Sequence, residues 1–154
     1  MTATSYDLLA ASAFLTGLSE GHLRQLSYTA SRCVFRAGSR VFAEGGHADR
    51  FWLINAGRID LDTHVPGRGD VVVETLGPGA VLGWSWLFPP YRWHFGAFAP
   101  QTTFAVSLDA SGVRRLCERD PALGYQLTSR FVQVVVERLQ ATRMRLLDLY
   151  KVPS

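Results

Sequence analysis

The chain has 154 residues, 47% of them hydrophobic and 19% charged, with 16 Lys and Arg against 13 Asp and Glu for a formal charge of +3. That length holds one well-buried domain, and apolar residues spread along all of it exclude disorder, collagen and low-complexity behaviour. So small a basic excess, with no basic block, does not make a nucleic-acid surface.

The N-terminal part carries helical signals. Asp7 stands where it can cap the apolar stretch from Leu8 to Leu15, and Ser19 with Glu20 opens a second segment whose face is Leu18, Leu23 and Leu26. The N-terminus has no basic region ahead of an apolar run, and no segment approaches the roughly 20 apolar residues of a membrane span. From Cys33 the period changes, because short β-branched and aromatic runs alternate with Gly, Pro and Asp. Eight strands are expected, over 33–35, 40–43, 50–55, 58–64, 71–76, 80–82, 94–99 and 102–108. Eight short strands imply a roll or barrel.

Arg58-Ile59-Asp60-Leu61-Asp62 alternates, which directs Ile59 and Leu61 inward, and Phe104, Val106 and Leu108 repeat that pattern. Each strand is therefore expected to be half buried. Pro66-Gly67-Arg68-Gly69-Asp70 lies between two such runs and reads as a hairpin tip. The Arg-Gly-Asp tripeptide within it is read as a turn, because no secretion signal supports an adhesion ligand.

After Leu108 the pattern turns helical, first over 111–118 and then from Asp120 as N-cap and Pro121 at the first helical position. The last helix carries two apolar stripes. Leu123, Leu127, Phe131 and Val134 or Val135 form one; Val132, Val136, Leu139, Leu146 and Tyr150 form another at heptad-like spacing, interrupted by Arg143. Both stripes meeting one domain is the simpler arrangement; the favoured one packs the first on the roll and the second on a twin helix in a homodimer. Cys33 and Cys117 are too few for a disulfide framework or a four-ligand zinc site, so a soluble cytoplasmic protein is expected.

Phe35-Arg36-Ala37-Gly38-Ser39-Arg40-Val41-Phe42-Ala43-Glu44-Gly45, followed by Phe51-Trp52-Leu53-Ile54-Asn55-Ala56-Gly57, resembles the opening of a cyclic-nucleotide-binding domain of the catabolite-activator type. Gly38, Gly45 and Gly57 stand at that family's turn glycines, and Leu76-Gly77-Pro78-Gly79-Ala80-Val81-Leu82-Gly83 resembles the strand entering its phosphate-binding cassette. The resemblance runs from about Phe14 to the last helix. It implies a mainly β fold with flanking helices, a double-stranded jelly roll: short helices over 7–30, the β-roll over 33–108 and helices over 111–150, all one domain across 1–154.

The resemblance also implies a site. In that family a short helix after the Gly83 position offers N–H groups to a cyclic phosphate, an arginine neutralises it, and a glutamate binds the ribose. Here Trp84 replaces the glutamate. The arginine position falls on Trp93, with Arg92 adjacent and brought into register by a one-residue length change. Gly83, Trp84, Ser85, Trp86, Arg92, Trp93 and His94 are the candidate ligand-binding residues of this aromatic-rich stretch, whose rings either line a pocket or fill it. Arg138-Leu139-Gln140-Ala141-Thr142-Arg143 resembles the helical segment that caps the base, which adds Thr142 and Arg143. The family's transcription factors continue into a helix-turn-helix domain, but Lys151-Val152-Pro153-Ser154 closes this sequence. Arg138, Arg143, Arg145 and Lys151 are offset by Glu137 and Asp148, so direct DNA binding is not expected.

Jelly rolls also host metal enzymes, yet His22, His47, His64 and His94 fall in unrelated segments without HxH or HxxxH pairing, and no nucleophile elbow, P-loop or GxGxxG pattern occurs. The reading is a non-enzymatic sensor module whose ligand is not ordinary cAMP, working through a dimer interface or protein partner. No resident cofactor or metal is called for, although a cyclic nucleotide or other small molecule fits the resemblance. A ligand-free interaction module plugged by Trp84 and Trp93 is the alternative; a third reading gives His94 a haem or metal.

Overall fold

Strands this short gain stability only by closing on one another, and the computed structural model, which describes residues 3–150, shows how they do so. The strands are β1 (Ala30–Phe35), β2 (Ser39–Phe42), β3 (Arg50–Ala56), β4 (Ile59–Val65), β5 (Gly69–Leu76), β6 (Val81–Leu82), β7 (Gly96–Ala99) and β8 (Thr103–Asp109). They pair antiparallel into two four-stranded sheets, ordered β1-β8-β3-β6 and β2-β7-β4-β5. Only β4 and β5 follow one another within a sheet; every other connection crosses between sheets, which makes the jelly roll.

Helices α1 (Ser5–Ala10) and α2 (Glu20–Ser27), with a 3-10 turn at Ala13–Leu15 between them, precede the roll. A second 3-10 turn, Ser85–Leu87, sits between β6 and β7, and α3 (Ala110–Arg119) and α4 (Pro121–Leu149) complete the described chain. Lys151 and the rest of the C-terminus lie outside the described residues.

Several expectations are corrected. Asp7 does not cap α1: Thr4 does, and Asp7 returns the bond to the Thr4 N–H in a capping box. The backbone and side-chain bonds from Thr4 hold the Asp7 carboxyl below the usual aspartate range. The stretch 8–15 accordingly breaks into a short helix and a separate turn. The first strand begins at Ala30, before the expected Cys33, and β7 begins at Gly96 in place of His94. Ser19 and Asp120 cap α2 and α4 as expected.

The half-buried pattern fails in β4, whose Asp60 and Asp62 are 7% and 6% exposed. Their outward carboxylates are covered by partners: Arg58 and Thr75 bond Asp60, and Arg40 grips Asp62 at 3.1 and 2.6 Å. The expected inward stripe on β8 holds at Val106 and Leu108, both fully buried, and fails at Phe104. Phe51 pairs with Leu108 and Leu53 with Val106, on the helix side of the sheet, and Phe104 lies beyond that cover, 49% exposed.

Strand β3 is buried on both of its faces. On one face Phe51 stacks on Trp86 at 4.9 Å and meets Phe131 of α4 edge-on at 5.2 Å. On the other, Trp52 faces the roll interior, 5.7 Å from Phe42 and 5.9 Å from Trp93. The protein thus has a helix-side core and a cup-side core divided by one sheet.

Helix α4 belongs to both worlds. Leu123, Leu127 and Phe131 are fully buried, and Val134 packs against the core. The second stripe, Val132, Val136, Leu139, Leu146 and Tyr150, is 47–78% exposed in the isolated chain. No helix among the described residues is long and apolar enough to cross a membrane.

Candidate functional site

The cassette begins where β6 ends. Gly83 adopts φ +94°, and a Cβ there would stand 2.9 Å from the Trp93 ring, so only glycine turns the chain this tightly against the indole. Gly38, Gly45 and Gly57 also take positive φ, as turn glycines must. After Gly83, Trp84 precedes the 3-10 turn, and Trp86 plunges into the helix-side core, where it contacts Phe131 at 5.4 Å. Arg114 of α3 donates to the Trp86 carbonyl at 2.7 Å and lies 4.8 Å over the Tyr91 ring, tying the cassette to the helices.

The return to β7 decides between Arg92 and Trp93. Trp93 turns inward, 5% exposed and stacked 3.9 Å from Phe42. Arg92 is exposed; its backbone bridges His47 and its guanidinium donates to the Gly45 carbonyl at 3.3 Å. Tyr91, at φ +57°, supplies the left-handed step just before this reversal. His94 Nδ1 pairs with Ser85 Oγ at 2.8 Å, and its ring stacks on Trp84 at 4.7 Å.

Two cavities result, one on each side of Trp84. The inner cup, bounded by Phe42, Leu61, Leu82, Trp93 and Phe95, together with Gly83, Trp84, Ser85, His94 and Arg138, has a volume of about 10 Å³, room for a single water; Trp84, Phe95 and Arg138 border the outer cavity as well. The outer chamber, of about 390 Å³, lies between the roll rim and α4. Its walls are Val73, Glu74, Trp84 and Phe95 on the roll, with Val135, Arg138, Leu139, Thr142 and Arg145 on the helix.

Arg138 is the organising side chain. Its guanidinium donates to the Val81 carbonyl at 2.8 Å and pairs with Glu74 at 3.4 Å, while its side chain is 14% exposed. Burial pulls its pKa below the usual arginine range, opposed by the Glu74 charge. Arg145 donates to the Val73 carbonyl at the chamber mouth.

Of the residues expected at the site, Gly83, Trp84, Ser85, Trp93 and His94 gather around the cup, and Thr142 joins Trp84 at the chamber. Trp86, Arg92 and exposed Arg143 border neither cavity. Sequence reasoning passes over Glu74, because on β5 it reads as one more polar residue of an exposed strand, and it takes Arg138 as part of a helical segment and one of the basic residues of the last helix, without a place in a cavity. Among the described residues, no group of three or more His, Cys, Asp or Glu stands where it could hold a metal ion.

A jelly roll with a helix-bearing cassette between two of its strands and a long helix lying across its mouth is the architecture of a regulatory ligand-binding domain. Residues 32–120 match the cyclic nucleotide-binding domain model, and the chain belongs to that family, which is not a family of enzymes. Over 143 residues, 93% of this chain, it is 26% identical to the CRP-like cAMP-activated global transcriptional regulator of Mycobacterium tuberculosis, and it spans 62% of that protein's length. A cyclic nucleotide-binding-like protein from Brucella abortus is similar at 31% identity and TM-score 0.60, over 74% of this chain and 97% of that one. A cyclic nucleotide-binding domain from Methylobacillus flagellatus shares the fold at TM-score 0.80 and 18% identity, over 97% and 84% of the two chains.

Proposed function

We propose that this chain is the effector-binding domain of a regulator, that its ligand is not ordinary cAMP, and that the ligand enters the outer chamber. One observation carries the reading: the cup that the resemblance assigns to the sugar-phosphate retains about 10 Å³, while about 390 Å³ stands open against α4. Trp84 occupies the expected glutamate position and Trp93 the expected arginine position. A cyclic nucleotide would forfeit both charge-assisted contacts, each typically worth about 1.5–3 kcal/mol.

The chamber suits a signal because its two walls belong to different bodies. A ligand that prefers one seating of α4 over another shifts the helix between them. The Trp86–Phe131 contact links cassette and helix by packing. The output surface is the exposed stripe Val132, Val136, Leu139, Leu146 and Tyr150, which pairs with the same stripe of a second copy about a two-fold axis. Regulation then runs through the dimer or a protein partner, without direct DNA binding by this domain. The two free cysteines suit a reducing, cytoplasmic setting.

Isothermal titration with cAMP and cGMP tests the central statement: no saturable heat is expected from either, and micromolar binding of either overturns it. The second reading, a ligand-free interaction module, is favoured by the stacked Phe42, Trp52 and Trp93 rings that fill the cup. Tryptophan fluorescence separates the two, since half-buried Trp84 reports a chamber ligand and a module without one leaves its emission unchanged by cell-extract small molecules.

A further inference from the structure

The outer chamber has a charge pattern that narrows what it can hold. Its lining carries two guanidinium groups, Arg138 and Arg145, against one carboxylate, Glu74. The remaining walls are mostly apolar, with the Trp84 and Phe95 rings edge to face at 6.4 Å beside Val73, Val135 and Leu139. Resting on the proposed chamber as the ligand site, we infer that it is built for an apolar organic monoanion, an aryl carboxylate whose carboxylate meets Arg138.

Charge balance supports this class. The lining carries one excess positive charge in a half-open, largely apolar site, with Arg138 its sheltered cation and Arg145 an exposed one at the mouth, and a single anionic group matches that excess. Glu74 already faces Arg138, but a guanidinium has more N–H donors than the Val81 carbonyl and Glu74 engage, and its planar fork suits a bidentate carboxylate. The aromatic walls favour a flat, apolar body, whereas a ribose would bring several hydroxyls to a surface whose one carboxylate is already paired. A volume of about 390 Å³ lies in the lower part of the range for small-molecule sites, which suits an acid of one or two rings.

The same geometry ties ligand to helix. Arg138 fastens α4 to β6 through Val81 and to β5 through Glu74. An anion drawing the guanidinium toward the chamber competes with both ties, so occupancy bears directly on how α4 is seated.

The test compares 2-naphthoate with its uncharged relative 2-naphthamide and with cAMP, using calorimetry and NMR shift mapping on the full chain. Naphthoate is expected to bind about tenfold or more tighter than the amide, with shifts centred on Trp84, Phe95 and Arg138. Arg138→Met should erase that preference while leaving the weaker amide binding, and Val73→Trp should block both. If circular dichroism shows that Arg138→Met does not fold, Arg145→Met is expected to weaken the preference for the acid, and Val73→Trp still reports occupancy.

Equal affinity for acid and amide, a preference untouched in folded Arg138→Met, or no naphthyl binding at all overturns the inference. Equal affinity that Val73→Trp abolishes overturns the ligand class while the chamber stands as the site. Micromolar cAMP binding with shifts in the cup overturns the chamber itself.

Discussion

The two cavities that share the Trp84 indole are opposites. Inside, Trp93 lies on Phe42 with ring centres 3.9 Å apart, and about 10 Å³ remains; outside, the same indole walls a chamber of about 390 Å³. In the cup, aromatic side chains have become core, and the roll draws stability from the surface they bury. Between cup and chamber, half-buried Arg138, which borders both, and its partner Glu74 hold helix to roll without filling the outer space. A domain of this family can therefore close its inner pocket and retain its fold, because the strands need their interior filled and are indifferent to whether a ligand or a side chain fills it.

The largest expected effect breaks the closed side. Trp93→Ala should destabilise the protein by about 3–5 kcal/mol in urea unfolding, the usual range for losing a buried large aromatic. A loss below about 1 kcal/mol would show that the cup is not core. Gly83→Ala should cost about 1–3 kcal/mol, since its φ of +94° is strained for alanine and the new Cβ meets Trp93; the same unfolding curves measure it.

The open side is sharpened by Leu139→Arg, which places a charge on both the chamber edge and the exposed stripe. It is expected to lower the association state in sedimentation while the circular dichroism of the roll is retained. Wild-type protein sedimenting as a monomer at high concentration would refute the dimer outright. Trp84→Glu restores the acidic residue the resemblance implies, yet no cAMP heat is expected, because Arg92 points to Gly45 and Trp93 still fills the cup.

The smallest effect lies away from both cavities. Asp120 caps α4, and the bond from the Leu123 N–H, with His22 3.1 Å away, holds its carboxyl below the usual aspartate range. A depressed folded-state pKa contributes stability that is present above the unfolded value and lost as pH falls through the folded one. The wild type should thus lose its advantage over Asp120→Asn below about pH 4, measured as the gap between their urea midpoints.

Much of this is legible in the sequence. Gly38, Gly45 and Gly57 marked reversals because no other residue tolerates their φ freely, and Asp120-Pro121 announced α4 because cap and first turn are local chemistry. The sequence also places Trp84 where the resemblance implies a carboxylate, and the proposed function rests on that reading. The Arg92 and Trp93 register was not legible: it turned on which side of the chain faces the cup, and Tyr91 with its left-handed φ sets that. Phe104 is misplaced for a related reason, because alternation assigns a residue to a face without saying how far along the strand the helices cover that face.

The pairing of Glu74 with Arg138 belongs to the same category, lying 64 positions apart in the chain and meeting only when α4 crosses β5. Local order alone determined the turns, the caps, the periods of strand and helix, and hence the family, because those depend on backbone preferences within a few residues. Which side of each strand became core, which arginine was buried and where empty space remained were decided only by tertiary packing, because volume and charge balance are properties of surfaces brought together from distant parts of the chain.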